Sequence, residues 1–181
     1  VAVITQMGLF PFVNTLGAIL APVFGIMITD YYLIKKQQLN VDDLFSDKTA
    51  AVILELVQWQ SGITKANKKF ISKIKQLSKK HNTLIIIDEV QSGIGRTGSL
   101  FAYEQFGITP DILCFAKGIS NGLPLGGILT SNKISKYMSV GSHGTTFGGG
   151  PIATSIGSKV IDIISKKAFL NNVIKLSLIH I

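Results

Sequence analysis

Thr83-Leu-Ile-Ile-Ile-Asp-Glu-Val-Gln-Ser-Gly-Ile-Gly-Arg-Thr-Gly98 decides the fold class. The near-continuous apolar stretch Thr83–Ile87, rich in β-branched residues, predicts a strand of the kind parallel sheets use. It delivers Asp88 at its carboxyl end, the edge at which open α/β sheets place ligands. Asp88 and Glu89 could equally do no more than start a turn, and on these residues alone the two readings stand level. Gly93-x-Gly-x-x-Gly98 also matches the dinucleotide fingerprint. Its context fails, because five residues separate it from the strand and no helix clearly opens at its end. The next acid, Asp111, precedes a strand where the fingerprint wants one at a strand's end. A dinucleotide site is not expected.

Outward from this stretch, strand and helix signals alternate from Asp47 onward. Ala50–Val57 is a short apolar run with β-branched residues. Asp111–Ala116 and Leu125–Leu129 read as further strands, and a helix is expected from Pro151, a residue suited to a first helical turn, to about Lys166. Apolar strands separated by helical stretches argue a parallel or mixed α/β sheet. Between Thr64 and Lys80 there are seven lysines and no acid, which accounts for nearly all of the formal charge of +8. Phe70, Ile71, Ile74 and Leu77 recur there at helical spacing, so the lysines coat the wet faces of one amphipathic helix. With no aromatic interleaving and no nucleic-acid motif, nucleic acid is not an expected partner. The single cysteine, Cys114, excludes an internal disulfide, and three scattered histidines form no metal-ligand cluster.

The second piece with chemistry is Pro110-Asp-Ile-Leu-Cys-Phe-Ala-Lys-Gly-Ile-Ser-Asn-Gly122. Lys117 ends an apolar strand and is followed by small, flexible residues, so it is expected at the same sheet edge as Asp88. A lysine amine and a carboxylate at one edge are what pyridoxal-phosphate (PLP) chemistry needs. The amine bears the cofactor and later moves a proton, while the carboxylate keeps the pyridine nitrogen protonated.

Together the Asp-Glu pair after a strand, the Gly-Arg turn and the Ala-Lys-Gly 29 residues beyond Asp88 resemble the signature of class III aminotransferases. The likeness continues through Pro124-Leu-Gly-Gly and His143-Gly-Thr-Thr-Phe-Gly-Gly149, and so covers about residues 47–175. It implies part of a PLP fold-type-I large domain, a mostly parallel sheet with helices. By this resemblance Lys117 is the cofactor-bearing lysine and Asp88 pairs with the ring nitrogen. Val90 packs on the ring face, and Gln91 bonds the ring's phenolic oxygen. Thr146 resembles the threonine that reaches the phosphate of the neighbouring subunit's cofactor, implying a homodimer. The wording is similar to enzymes of arginine or lysine biosynthesis that move a terminal amino group from N-acetylornithine, or a related ω-amino donor, to 2-oxoglutarate. The family's phosphate cup, its stacking aromatic and its downstream carboxylate-binding arginine are not found in this chain, so catalysis by this chain alone is not expected. At Glu55-Leu-Val-Gln-Trp-Gln-Ser-Gly62, relatives usually read Glu-Pro-Ile-Gln-Gly-Glu-Gly-Gly. Gln60 therefore stands where the family has a glutamate that gates an active-site arginine.

Residues 1–46 have a different texture. The first charged residue is Asp30, which leaves 29 uncharged residues before it. Met7–Thr29 exceeds the roughly 20 apolar residues of a membrane span. Tyr31, Tyr32, Lys35 and Lys36 follow as an interfacial and cytoplasmic flank would. Leu20-Ala-Pro-Val-Phe-Gly-Ile-Met-Ile-Thr-Asp-Tyr-Tyr-Leu-Ile-Lys-Lys, with Leu39–Phe45, resembles a late segment of the nucleobase:cation symporters. A hydrophobic, membrane-type helical segment is expected at 1–46, the alternative being a buried core helix plus strand of a soluble protein, and a cytoplasmic enzyme part is expected at 47–175. Leu176-Ser-Leu-Ile-His-Ile181 resembles a translated sequencing adapter, so 176–181 is expected to be a non-native tail and the whole a chimeric frame, with a true gene fusion as the alternative.

Overall fold

The computed structural model describes residues 49–60, 62–141 and 144–179. The expectations for residues 1–46, including the membrane-type helix, lie outside the described residues. Among those described, no helix is long and apolar enough to cross a membrane.

Among the described residues, six strands form two sheets. β1 (Ala51–Leu54), β4 (Leu84–Asp88), β5 (Ile112–Phe115) and β6 (Gly127–Thr130) lie side by side in that order. β1 and β5 run parallel to β4, and β6 runs antiparallel to β5. The mixed α/β sheet expected from the alternation is present. The apolar run at Ala50–Val57 is not one strand: it breaks at Glu55-Leu56, where Leu56 turns into the core and is fully buried. β2 (Val57–Gln58) then pairs with β3 (Thr64–Lys65) as a short antiparallel hairpin that the apolar pattern did not signal.

The crossover from β1 to β4 is the lysine-coated helix α1 (Lys68–His81). Asn67 caps it by accepting the Lys69 N–H at 2.8 Å, and Asn82 closes it in the left-handed conformation, φ 52°. Ile71, Ile74, Leu77 and Ser78 form its buried stripe. Each apolar side chain removed from water there contributes about 1.5–3 kcal/mol. Phe70, expected on that stripe, sits about one helical step (~100°) round from Ile71 and faces out. Apart from the half-buried Lys73, the helix's lysines are exposed, which is the solvated face the charge pattern implied.

β4 alternates as its two-residue period requires: Ile85 and Ile87 are buried, while Leu84, Ile86 and Asp88 are half-buried. Asp111 pins β5 against it. Its N–H donates to the Ile85 carbonyl and its carboxylate accepts the Ile85 N–H, both at 2.8 Å. That structural duty explains the acid that the dinucleotide fingerprint could not use. After β6 come a single-turn helix, α2 (Asn132–Ser135), and two long ones, α3 (Pro151–Ile164) and α4 (Lys167–Ile179). α3 starts at Pro151 as expected. α4 was not expected, and it runs into the stretch 176–181. Gly157 lets α3 approach the β5–β6 connection closely, since a Cβ there would meet Leu125 Cδ2 at 2.8 Å and the Ile119 carbonyl at 3.4 Å.

Candidate active site at the carboxyl edge of β4 and β5

Parallel pairing places Asp88 opposite Cys114. Lys117 follows three residues after Cys114, so both residues reach the same carboxyl edge of the sheet. Asp88 is half-buried. Its Oδ1 accepts the Val90 N–H at 2.9 Å, and among the described residues no donor meets its other oxygen. Its charge reaches the neighbouring strand. The Cys114 thiol is pushed above its ordinary pKa, first by burial and then by the Asp88 carboxylate.

Lys117 opens a short 3-10 turn, Lys117–Ser120, with φ 50°. A non-glycine residue rarely adopts that left-handed geometry, and such outliers persist where the surroundings hold them. Here the hold comes from the Ser120 hydroxyl, which donates to the Leu123 carbonyl, and from α3 packed over Ile119. The Lys117 side chain is exposed and lines an open cleft of about 580 Å³ with Arg96, Asn121 and Leu123.

The loop after Asp88 is organised by Glu89, whose role the sequence reading missed. Glu89 is fully buried. Its carboxylate accepts the Ala102 N–H at 2.6 Å and the Tyr103 N–H at 2.7 Å, tying β4 to the short turn Ala102–Gln105. Burial pushes its pKa up; the two backbone bonds oppose this, and the nearby Glu104 charge adds to it. A signal was available in the sequence. With Asp88 facing the ligand edge, a period of two turns Glu89 to the side of Ile85 and Ile87, the covered side. Gly93 closes the same turn: its N–H donates to the Glu89 carbonyl at 3.0 Å, and a Cβ there would sit 2.7 Å from that oxygen. No helix opens at Gly98.

The remaining predicted residues are less closely gathered. Gln91, half-buried, lines a separate cleft of about 440 Å³ with Trp59, Ser92 and Arg96. Val90 is half-buried beside Asp88. Gln60 is exposed in the β2–β3 loop, and Thr146 is exposed in the loop before α3. Its neighbours Thr145 and Phe147 line a cleft of about 330 Å³. Asp88 and Lys117 thus share one edge, and Arg96 lines both the Lys117 cleft and the Gln91 cleft. Gln60 and Thr146 are on exposed loops and line neither of these clefts.

The chemistry at this edge fits PLP: an amine for the cofactor's aldehyde, a carboxylate oxygen that no donor among the described residues meets for its ring nitrogen, and an amide one cleft away. A family model described as "Aminotransferase class-III" matches residues 20–179. The chain is 46% identical over 138 residues to the acetylornithine/succinyldiaminopimelate aminotransferase of Buchnera aphidicola, covering 76% of this chain and 34% of that protein. It is 44% identical over 131 residues to the succinylornithine transaminase of Citrobacter koseri, covering 72% and 32%. Among solved structures, the N-acetylornithine aminotransferase of Stenotrophomonas maltophilia superposes with a TM-score of 0.64 at 30% identity, covering 72% of this chain and 33% of that one. The chain therefore spans about a third of the length of the curated relatives it matches. Nothing in these comparisons supports the symporter resemblance of residues 1–46, and the family match itself begins at residue 20. With the match covering most of the chain and the lysine and aspartate sharing one sheet edge, the chain belongs to the class-III aminotransferases, a PLP-dependent family.

Proposed function

We propose that residues 47–175 supply the cofactor-bearing segment of an enzyme that moves the terminal amino group of N-acetylornithine, or a related ω-amino donor, to 2-oxoglutarate. The observation that carries this reading is the placement of Asp88 and Lys117 at the ends of adjacent parallel strands. Lys117 would bear PLP and move the proton at the reacting carbon. Asp88 would hold the ring nitrogen protonated, Val90 would pack on the ring and Gln91 would bond its phenolic oxygen. PLP itself, when bound, supplies the electron sink. Thr146 would serve the phosphate of a neighbouring subunit's cofactor, which makes the working form a homodimer in the cytoplasm. The exposure of Thr146 suits a residue that acts on another copy.

Gln60 marks a departure with consequences for specificity. A glutamine can accept a hydrogen bond from a gating arginine but carries no charge, and charge-assisted bonds are about twice as strong as neutral ones. The arginine would then stay more available to dicarboxylates. Gln60→Glu in the full-length enzyme is expected to raise the ratio of kcat/KM for acetylornithine over glutamate, and an unchanged ratio removes Gln60 as the gate.

The function is tested by grafting residues 49–175 into the Buchnera relative and measuring glutamate formed from N-acetylornithine and 2-oxoglutarate. Activity that disappears with Lys117→Ala is expected. A folded graft that binds PLP at Lys117 yet transfers no amino group contradicts the reading.

A further inference from the structure

Two glycines of the loop Gly93–Gly98 make room for helices that pack on it. A Cβ on Gly95 would sit 2.5 Å from Ile164 Cγ2, at the end of α3, and 3.5 Å from Leu170 Cδ2 of α4. A Cβ on Gly98 would collide with Ile174 Cγ1 and lie 3.2 Å from Ile174 Cδ1. The end of α3 and one face of α4 therefore rest on the bare backbone of this loop. Both glycines have the left-handed backbone that suits them, φ 78° and 86°. Ile94, between Gly93 and Gly95, shares that conformation at φ 54° and is only 8% exposed. A β-branched residue there is a genuine outlier, and it persists only where its surroundings over-determine it. Glycine would meet the same backbone requirement without strain, so what isoleucine adds at 94 is its side chain. That side chain faces Gly118. A Cβ on Gly118 would lie 3.6 Å from Ile94 Cβ and 3.7 Å from Ile94 Cγ2, ordinary contact distances. Gly118 directly follows Lys117, itself left-handed at φ 50°.

We propose that Ile94 is a positioning residue for Lys117, held in its left-handed conformation by α4 and bearing on Gly118. The Lys117 turn then has two supports: α3, which packs against Ile119 through Gly157, and Ile94, which packs against Gly118. Ile94 cannot relax to a right-handed or extended backbone without turning its side chain away from Gly118. The same rotation would shift Gly95 from under Ile164 and Leu170. α4 thus keeps the strained residue in place, and the strained residue keeps the turn in place. A lysine that bears a cofactor has to present its amine from a fixed backbone, because a misplacement of about 1 Å can cost about a hundredfold in rate. Only the role of Lys117 rests on the aminotransferase reading; the contact of Ile94 with Gly118 and the hold of α4 on the loop do not.

The full chain is compared with three variants. Ile94→Val keeps Cβ and Cγ2, Ile94→Gly frees the backbone but removes both, and Leu170→Ala loosens α4 on Gly95. Hydrogen exchange is followed at two amides. The buried Ile119 donates its N–H to the Ala116 carbonyl at 3.3 Å, and Asp111, at the far end of β5, donates to the Ile85 carbonyl at 2.8 Å. Ile94→Gly should speed exchange at Ile119 by about tenfold with Asp111 unchanged, and Ile94→Val should stay within about twofold of the parent. Leu170→Ala should shift Ile119 in the same direction by less. PLP is then added and trapped with borohydride. The label on Lys117 relative to Lys79 and Lys80 of α1 should fall about threefold or more in Ile94→Gly and be kept in Ile94→Val. Circular dichroism establishes that each variant is folded, and Ile94→Ala, which loses Cγ2, carries the test if Ile94→Gly is not. Equal acceleration at Ile119 and Asp111 would make Ile94 plain core packing and overturn the proposal. So would an unchanged Ile119 amide, Ile94→Val behaving as Ile94→Gly, or a Lys117 preference in the parent that Ile94→Gly leaves intact. A parent chain labelled no more at Lys117 than at Lys79 and Lys80 counts against the aminotransferase reading, and exchange at Ile119 then decides the role of Ile94 by itself.

Discussion

Two loops are built on opposite principles, one leaving the carboxyl edge of β4 and the other leaving β6 at the opposite end of the sheet. From Asp88 to Phe101 the chain is held largely by bonds within itself. Ser92, Gly93, Ile94 and Gly95 are buried, Glu89 spans to the turn at Ala102, and Gly95 N–H reaches the Leu100 carbonyl at 3.0 Å. From Ser131 to Gly149 the described residues are exposed, Ile134 excepted, and large apolar side chains stand in the open: Tyr137 at 76%, Val140 at 108% and Phe147 at 89%. The first loop can hold Asp88 and Gln91 in place through bonds within the chain. The second offers Thr146 on a surface that the proposed dimer would cover. Residues that position a cofactor from within and residues that reach toward a neighbour's cofactor are thus expected to respond differently to mutation.

The largest effect should fall on the self-supporting loop. Glu89→Ala leaves two N–H groups without an acceptor, at about 1–3 kcal/mol each, and denaturant unfolding should show a loss of about 2–5 kcal/mol. A change under about 0.5 kcal/mol, the level of an ordinary surface substitution, would erase the contrast between the loops. Glu89 also carries a pH signature. Because its folded pKa is raised, its contribution to stability is fully present below the ordinary carboxyl pKa and is lost as pH rises through the folded value. Glu89→Gln should flatten that part of the stability profile, and an identical profile would mean that another group causes it.

Next in size is Gly157→Val on α3. A side chain there meets Leu125 and the Ile119 carbonyl, so overpacking should cost about 1–3 kcal/mol in thermal or denaturant unfolding. Asp111→Ala removes one strand-pinning acceptor and should cost about 1 kcal/mol by the same measurement. Smallest is Thr146→Ala, expected within about 0.5 kcal/mol of the parent in stability. In a dimeric full-length enzyme the same change should still weaken PLP affinity. A stability loss as large as that of Glu89→Ala would show that Thr146 belongs to the scaffold.

The strands Thr83–Ile87 and Asp111–Ala116 and the helix at Pro151 were legible because a single physical rule governs each: continuous apolar character for strands in a parallel pair, and proline at a first helical turn. The lysine helix was legible from its 3.6-residue period. The break at Leu56 and the β2–β3 hairpin were not, because one buried leucine amid β-branched residues looks the same in a strand as at its end. α4 escaped notice because Lys166 and Lys167 read as the end of a helix, whereas the chain turns there and starts another. The shared edge of Asp88 and Lys117 was legible because each follows an apolar strand. Glu89 and Arg96 were passed over, one read as the start of a turn and the other as part of a motif. Only pairing between distant segments shows that Glu89 binds Ala102 and Tyr103 and that Arg96 lines two clefts.

The central claim is that the β4–β5 edge is the cofactor site. Its most direct test is a PLP titration of the full chain, followed by borohydride reduction and mass spectrometric mapping of the labelled lysine. The account predicts label on Lys117 above every other lysine, with occupancy reduced in Asp88→Ala. Label spread evenly over the exposed lysines of α1, or unchanged at Lys117 when Asp88 is removed, would contradict it.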